Sequence, residues 1–163
     1  MLSWQTRRVS ENLLRPSEEM LGAATRVLET QRGRLREWGI LGELRLVGGS
    51  SMPGLQTYGD VDLLVRVPAA DFADACDRLR SLYTPRRIDL WSDEMALFSV
   101  DASHAVELAA VRLGSAQDRH FVTAWDRLAE SPELRDRYNA LKLDAGSDYE
   151  ARKAAFFTEI AGP

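Results

Sequence analysis

Asp60-Val61-Asp62-Leu63-Leu64-Val65-Arg66-Val67 alternates along its whole length. A residue period of two puts Val61, Leu63, Val65 and Val67 on one face of a strand and Asp60, Asp62, Leu64 and Arg66 on the other. The expectation is a strand with one open, acidic face. Upstream, Leu44-Arg45-Leu46-Val47 reads as a short strand that runs into Gly48-Gly49-Ser50-Ser51-Met52-Pro53-Gly54, where glycine and proline forbid any regular element and force a turn. Two carboxylates two residues apart on a strand point the same way. At about 4–5 Å and an effective dielectric near 20 they repel by roughly 3–4 kcal/mol, which a divalent cation between them relieves. Mg²⁺ prefers a few carboxylates together with phosphate oxygens, and a glycine turn lets backbone N–H groups approach those phosphates. The spacing therefore predicts a metal-bound nucleoside triphosphate.

Outward from this centre the chain reads as a mixed α/β fold. Pro16-Ser17-Glu18-Glu19 supplies an N-cap and two acids for a long helix whose inner face carries Met20, Leu21, Ala24, Val27, Leu28, Leu35 and Trp38, with Gly39 as its left-handed end. Residues 70–83 repeat apolar side chains at helical spacing through Phe72, Ala75, Cys76, Leu79 and Leu82. Further strands are expected over 86–91, 95–100 and 105–113. Three helices should follow, capped by Ser115 with Asp118, by Ser131 before Pro132, and by Ser147 with Glu150. No repeat or long linker divides the chain, so the expectation is one domain over 1–163: an arm and helix to residue 40, a sheet core over 41–113 that holds the site, and C-terminal helices over 114–163.

Composition narrows the function. The 163 residues carry 25 acids against 21 bases, a net charge of −4, which argues against a partner as anionic as long nucleic acid. The single cysteine, Cys76, can form no intrachain disulfide and reads as a small core residue. Residues 1–10 hold no stretch apolar enough for a signal peptide, and nowhere do about 18 apolar residues run together, so no membrane is expected and the cytoplasm is the default compartment. His104 and His120 fall in no metal-ligand spacing and read as surface or packing residues.

The segment Val47-Gly48-Gly49-Ser50-Ser51-Met52-Pro53-Gly54-Leu55 resembles the Val-Gly-Ser-Thr-Ala-Val-Pro-Gly-Leu segment of the GrpB family, predicted nucleotidyltransferases of the polymerase-beta-like superfamily. Leu113-Gly114-Ser115, Trp125-Asp126-Arg127-Leu128, Tyr138-Asn139-Ala140-Leu141-Lys142 and Tyr149 with Lys153 extend the resemblance over most of the chain. Departures are specific. Aligned without gaps, the family's aspartate falls on Asp62, so Asp60 is an addition. Tyr58-Gly59 replaces the usual Lys-Pro, and Glu107-Leu108-Ala109 stands where relatives carry His-x-His. Superfamily catalysis generally wants a third carboxylate on a neighbouring strand, a role that falls to Glu107, with Asp89 as the alternative. Only two lysines stand among 19 arginines, and both, Lys142 and Lys153, occupy positions where the family pattern has lysine.

The resemblance implies a nucleotidyltransferase fold, a small mixed sheet covered by helices with a helical C-terminal portion. It implies a metal-dependent transfer of a nucleoside monophosphate to an acceptor, with Mg²⁺ or Mn²⁺ on Asp60, Asp62 and Glu107. The phosphates would lie against Gly48, Gly49, Ser50, Ser51, Lys142 and Lys153. Its rival is a non-catalytic nucleotide- or partner-binding module on the same fold.

Overall fold

A computed structural model describes residues 13–100 and 105–163; the expectations for residues 1–10 and for His104 lie outside them. Seven strands, β1 (Arg15–Pro16), β2 (Glu43–Val47), β3 (Gln56–Thr57), β4 (Val61–Val67), β5 (Thr84–Arg86), β6 (Met95–Val100) and β7 (Val106–Arg112), alternate with five α-helices: α1 (Leu21–Glu37), α2 (Phe72–Leu82), α3 (Ala116–Glu130), α4 (Pro132–Leu143) and α5 (Tyr149–Ala161). The main sheet has the order β2-β4-β7-β6-β5, with β4 and β7 parallel and every other pair antiparallel. β1 and β3 form a separate two-stranded pair, Arg15 opposite Thr57. The expected mixed α/β architecture is present.

The alternation of β4 sorts its side chains between two cores. Val61, Leu63, Val65 and Val67 pack with α1 and α2, whereas Leu64 packs with α3, α4 and α5. The expected open face is therefore covered. Full burial of Leu64 contributes about 2 kcal/mol, and Phe121, Trp125, Leu128, Tyr138 and Phe156 close over it. Two capping signals hold: Ser115 accepts from the Asp118 N–H at 3.1 Å, and Ser131 accepts from Leu134 N–H ahead of Pro132.

Four local expectations need correction. Strand β5 ends at Arg86, because Arg87 adopts a left-handed conformation (φ 43°) and a 3-10 turn, Ile88–Leu90, follows. Helix α5 begins at Tyr149 without a side-chain cap, rather than on Ser147. Trp38 is partly exposed at the end of α1 instead of lying on its buried face. Ser17 does not cap α1. Its hydroxyl instead donates to Met52 C=O at 2.6 Å and accepts from Leu55 N–H, while Glu18 accepts from Gly54 N–H at 2.9 Å. Those contacts tie the arm to the Pro53-Gly54-Leu55 loop, a long-range use of polar residues that local sequence signals cannot separate from a cap.

Candidate functional site

Parallel pairing sets Asp62 directly opposite Glu107, and β6 sets Ser99 next to Glu107. Paired residues share a face, so the Asp62 and Glu107 carboxylates rise on the side covered by α3–α5. Asp60 immediately precedes β4. Asp62 is 2% exposed, whereas Asp60 and Glu107 are half-buried. The open acidic face expected on this strand is thus closed over Asp62, with Asp60 and Glu107 at its partly exposed rim. Burial pushes the Asp62 carboxyl well above the ordinary 3.8; the neighbouring Asp60 and Glu107 charges push it further, and Lys153 and Lys142 oppose them. Four of the residues singled out from sequence act on the carboxyl of a fifth.

The wall opposite is built by α4 and α5. Lys142 and Lys153 are 6% and 5% exposed, unusual for lysine, and each lies over a tyrosine four residues earlier: Lys142 Nζ 4.4 Å from the Tyr138 ring centre, Lys153 Nζ 5.9 Å from that of Tyr149. Helical i,i+4 spacing stacks each pair on one face. Tyr138 is wholly buried, its phenol pushed up by burial, by Tyr149 and by Asp62 and Asp60, and its hydroxyl makes no hydrogen bond among the described residues. The twice-repeated Tyr-x-x-x-Lys is the sequence signal that marks these tyrosines.

The glycine turn fits this wall by close approach. A Cβ on Gly48, whose φ is 80°, would lie 2.0 Å from Asp62 Oδ2, and one on Gly49 would lie 2.5 Å from Lys142 Nζ. Any larger residue displaces the carboxylate or the ammonium. Ser50 and Ser51 are used inside the turn: the Ser50 hydroxyl donates to Asp60 C=O at 2.6 Å and shares a 2.7 Å hydrogen bond with Thr57, and Ser51 donates to Gly48 C=O. Their hydroxyls hold the loop. Asn139 of α4 clamps the loop from the far side, accepting from Gln56 N–H at 2.8 Å and donating to Gly54 C=O at 2.9 Å, and Lys142 donates to Gln56 C=O at 2.5 Å.

Asp89 does not join the cluster. It lies exposed in the 3-10 turn, held by two hydrogen bonds from Arg87 that keep its carboxyl below the ordinary value. Glu107 is the neighbouring-strand carboxylate, with Arg86 3.9 Å away. Among the described residues no three of His, Cys, Asp and Glu are drawn together tightly enough to form a preformed cation cage. His120 is half-buried beside Phe121, its imidazole pKa lowered by burial. Cys76 packs against the α1–α2 core, which pushes its thiol up to about 11 and leaves it a poor nucleophile. No helix among the described residues is long and apolar enough to cross a membrane.

Comparison with known proteins agrees with this architecture. A UPF0157 protein of Vibrio cholerae is 31% identical over 121 residues, 71% of this chain and 64% of that protein, so the chain spans just under two thirds of this relative's length. The crystal structure of the conserved protein GrpB from Enterococcus faecalis superposes with a TM-score of 0.67 at 18% identity, over 91% of this chain and 94% of the other, a likeness of fold. Residues 23–162, which include every site residue named above, match the family described as GrpB protein, and the chain belongs to that family.

Proposed function

We propose that the chain is a metal-dependent nucleotidyltransferase that takes a nucleoside triphosphate and passes its nucleoside monophosphate to an acceptor. The observation that carries this reading is the Asp62 environment: a buried carboxylate, pushed towards its neutral form by burial, Asp60 and Glu107, faces the chain's only two lysines across a glycine turn. A hydrophobic packing role would not set Asp60 and Glu107 within electrostatic reach of a buried carboxylate. Structural ion pairing alone would pull the Asp62 pKa down.

The donor set fits a hard divalent cation, since Asp60, Asp62 and Glu107 offer only oxygens. Bound with the triphosphate, such a cation supplies charge neutralisation on the phosphate oxygens and lowers the pKa of the attacking hydroxyl. The protein's own part is to hold position. Gly48 and Gly49 keep the turn low enough for backbone N–H groups to meet phosphate, and the Asn139 and Ser17 clamps fix that turn between α4 and the arm. Lys142 and Lys153 offer point charges to the phosphates once the carboxylates engage a cation. The half-buried Asp60 and Glu107 stand at the rim, where an acceptor enters.

One observation favours the rival binding module. Arg86 stands beside Glu107 while Lys142 and Lys153 oppose the Asp62 shift, so the carboxylates already have internal counter-charges. Both readings are separated by measuring pyrophosphate release from each of the four nucleoside triphosphates, with Mg²⁺ or Mn²⁺ and a panel of hydroxyl, carboxylate and RNA acceptors. The transferase reading expects metal-dependent release that falls by about 100-fold or more in Asp60→Asn and Asp62→Asn. Nucleotide binding without release under any acceptor would establish the rival instead.

A further inference from the structure

Three glycines around this site each leave out a Cβ that a charged side chain would strike. Gly48 makes room for Asp62 and Gly49 for Lys142; the third, Gly59, makes room for Arg15, whose Nη2 would lie 2.4 Å from a Cβ built there. Gly59 has a φ of 93°, so its backbone also requires glycine, and it immediately precedes Asp60. Arg15 is placed there by pairing rather than by chance of a long side chain. Its backbone is registered opposite Thr57, whose hydroxyl bonds Ser50 at 2.7 Å and accepts from Gly59 N–H at 3.0 Å. One short ladder therefore connects the arm, the serine of the turn and the residue ahead of the first aspartate. The guanidinium is exposed, and among the described residues its one hydrogen bond goes to a weak acceptor, Met20 Sδ at 3.1 Å. Lys142 and Lys153 are buried in the opposite wall and Arg86 is engaged beside Glu107, so Arg15, held against Gly59 ahead of Asp60, is an exposed cation whose hydrogen bonding among the described residues reaches only Met20.

We propose that Arg15 is a phosphate-binding residue at the mouth of the site, taking the outer phosphates of a polyphosphate whose inner phosphates lie along the glycine turn. The proposal rests on the nucleotide-binding reading for its ligand class, and the chemistry is that of a planar fork with five donors against a terminal phosphate. A monophosphate, held deeper, does not reach it.

Calorimetric titration of the full chain with inorganic tripolyphosphate and, separately, with adenosine monophosphate, both with Mg²⁺, tests the proposal. In Arg15→Gln the tripolyphosphate affinity should fall about tenfold, with the monophosphate affinity unchanged within about twofold. Arg15→Lys, which keeps the charge but not the planar fork, should recover part of the loss. Equal tripolyphosphate affinity in parent and Arg15→Gln overturns the proposal, as does a parent with no measurable tripolyphosphate affinity. Loss of both ligands alike, or no recovery in Arg15→Lys, also overturns it, since Arg15 would then merely support the loop. Pyrophosphate release separates this from the transfer reading. A selective Arg15→Gln defect in a protein that never releases pyrophosphate keeps the phosphate site and removes the transferase. Release together with unaltered Arg15→Gln affinity does the reverse.

Discussion

The α3–α5 face of strand β4 meets a buried carboxylate at each end, its own Asp62 and Asp118 of α3, and the two are displaced in opposite directions. At one end Asp118, 1% exposed, receives two hydrogen bonds from Arg66 at 2.6 and 3.0 Å and one from Gly114 N–H at 2.8 Å. Burial alone would push its carboxyl up, but the Arg66 hydrogen bonds, Gly114 and the Arg66 and Arg119 charges outweigh it and hold the carboxyl below the ordinary value. At the other end Asp62 is equally buried and is pushed up, because its neighbours include Asp60 and Glu107 as well as the lysines. Both ends hold a buried carboxyl beneath the C-terminal helices. The difference lies in which charges surround it. Arg66–Asp118 is a rivet joining β4 to the start of α3, whereas Asp62 lies beside two further carboxylates that oppose its ionisation.

Removing the rivet should have the largest effect. Asp118→Ala strips the Arg66 guanidinium and Gly114 N–H of their buried acceptor and should destabilise the protein by about 3 kcal/mol in urea unfolding. A cost below about 1 kcal/mol would mean that Glu43, 3.0 Å from Arg66, satisfies the guanidinium unaided. The next effect, at the other end, is conferred by ligand. Mg²⁺ with nucleoside triphosphate at 100 times its dissociation constant should stabilise the parent and Asp118→Asn alike by about 2.7 kcal/mol, and Asp62→Asn not at all. Thermal melts read this directly, and a full shift in Asp62→Asn would remove that residue from the site.

Smallest is the effect on the ligand-free protein. Asp62→Asn should be more stable than the parent at neutral pH by about 1 kcal/mol, since the neutral amide avoids burying an opposed charge. The pH dependence gives the sign. With its folded pKa raised, Asp62 contributes stability that is complete below the ordinary 3.8 and is lost as pH rises through the raised value; Asp62→Asn should lack that loss. Asp118, with its folded pKa lowered, contributes stability present above the ordinary value and lost as pH falls through the folded one. Urea midpoints of Asp62→Asn and Asp118→Asn followed across acid to neutral pH should therefore depart from the parent at opposite ends of the range. Departure at the same end would collapse the distinction between rivet and site.

Much of the fold was legible because it rests on short-range rules. The period-two alternation of residues 61–67, the helical spacing of 72–82 and the caps at Ser115 and Ser131 each act within one element, and each element is present. Strand 86–91 misled, since the apolar-polar alternation of Ile88-Asp89-Leu90 fits a strand as well as a turn, and only the Arg87–Asp89 hydrogen bonds and the left-handed Arg87 separate them. The residues named for the site were legible as a set, through spacing and resemblance, without their depth. An aspartate on an alternating strand looks the same whether its face is wet or covered.

By itself the sequence determined that Asp60 and Asp62 share one face of an extended segment, that a glycine turn precedes them, that Glu107 or Asp89 has a carboxylate to add, and that two lysines sit on later helices. These follow from backbone periodicity and from residue type, which need no knowledge of distant partners. Only the tertiary structure decided that α3–α5 close over Asp62, that Gly48 and Gly59 yield their Cβ space to Asp62 and Arg15, and that Asp118 lies beside arginine while Asp62 lies beside carboxylates as well as lysines. The physical reason is that burial, hydrogen-bond satisfaction and Coulomb neighbours are sums over residues far apart in the chain, brought within a few ångströms only when the sheet and its two helical layers assemble.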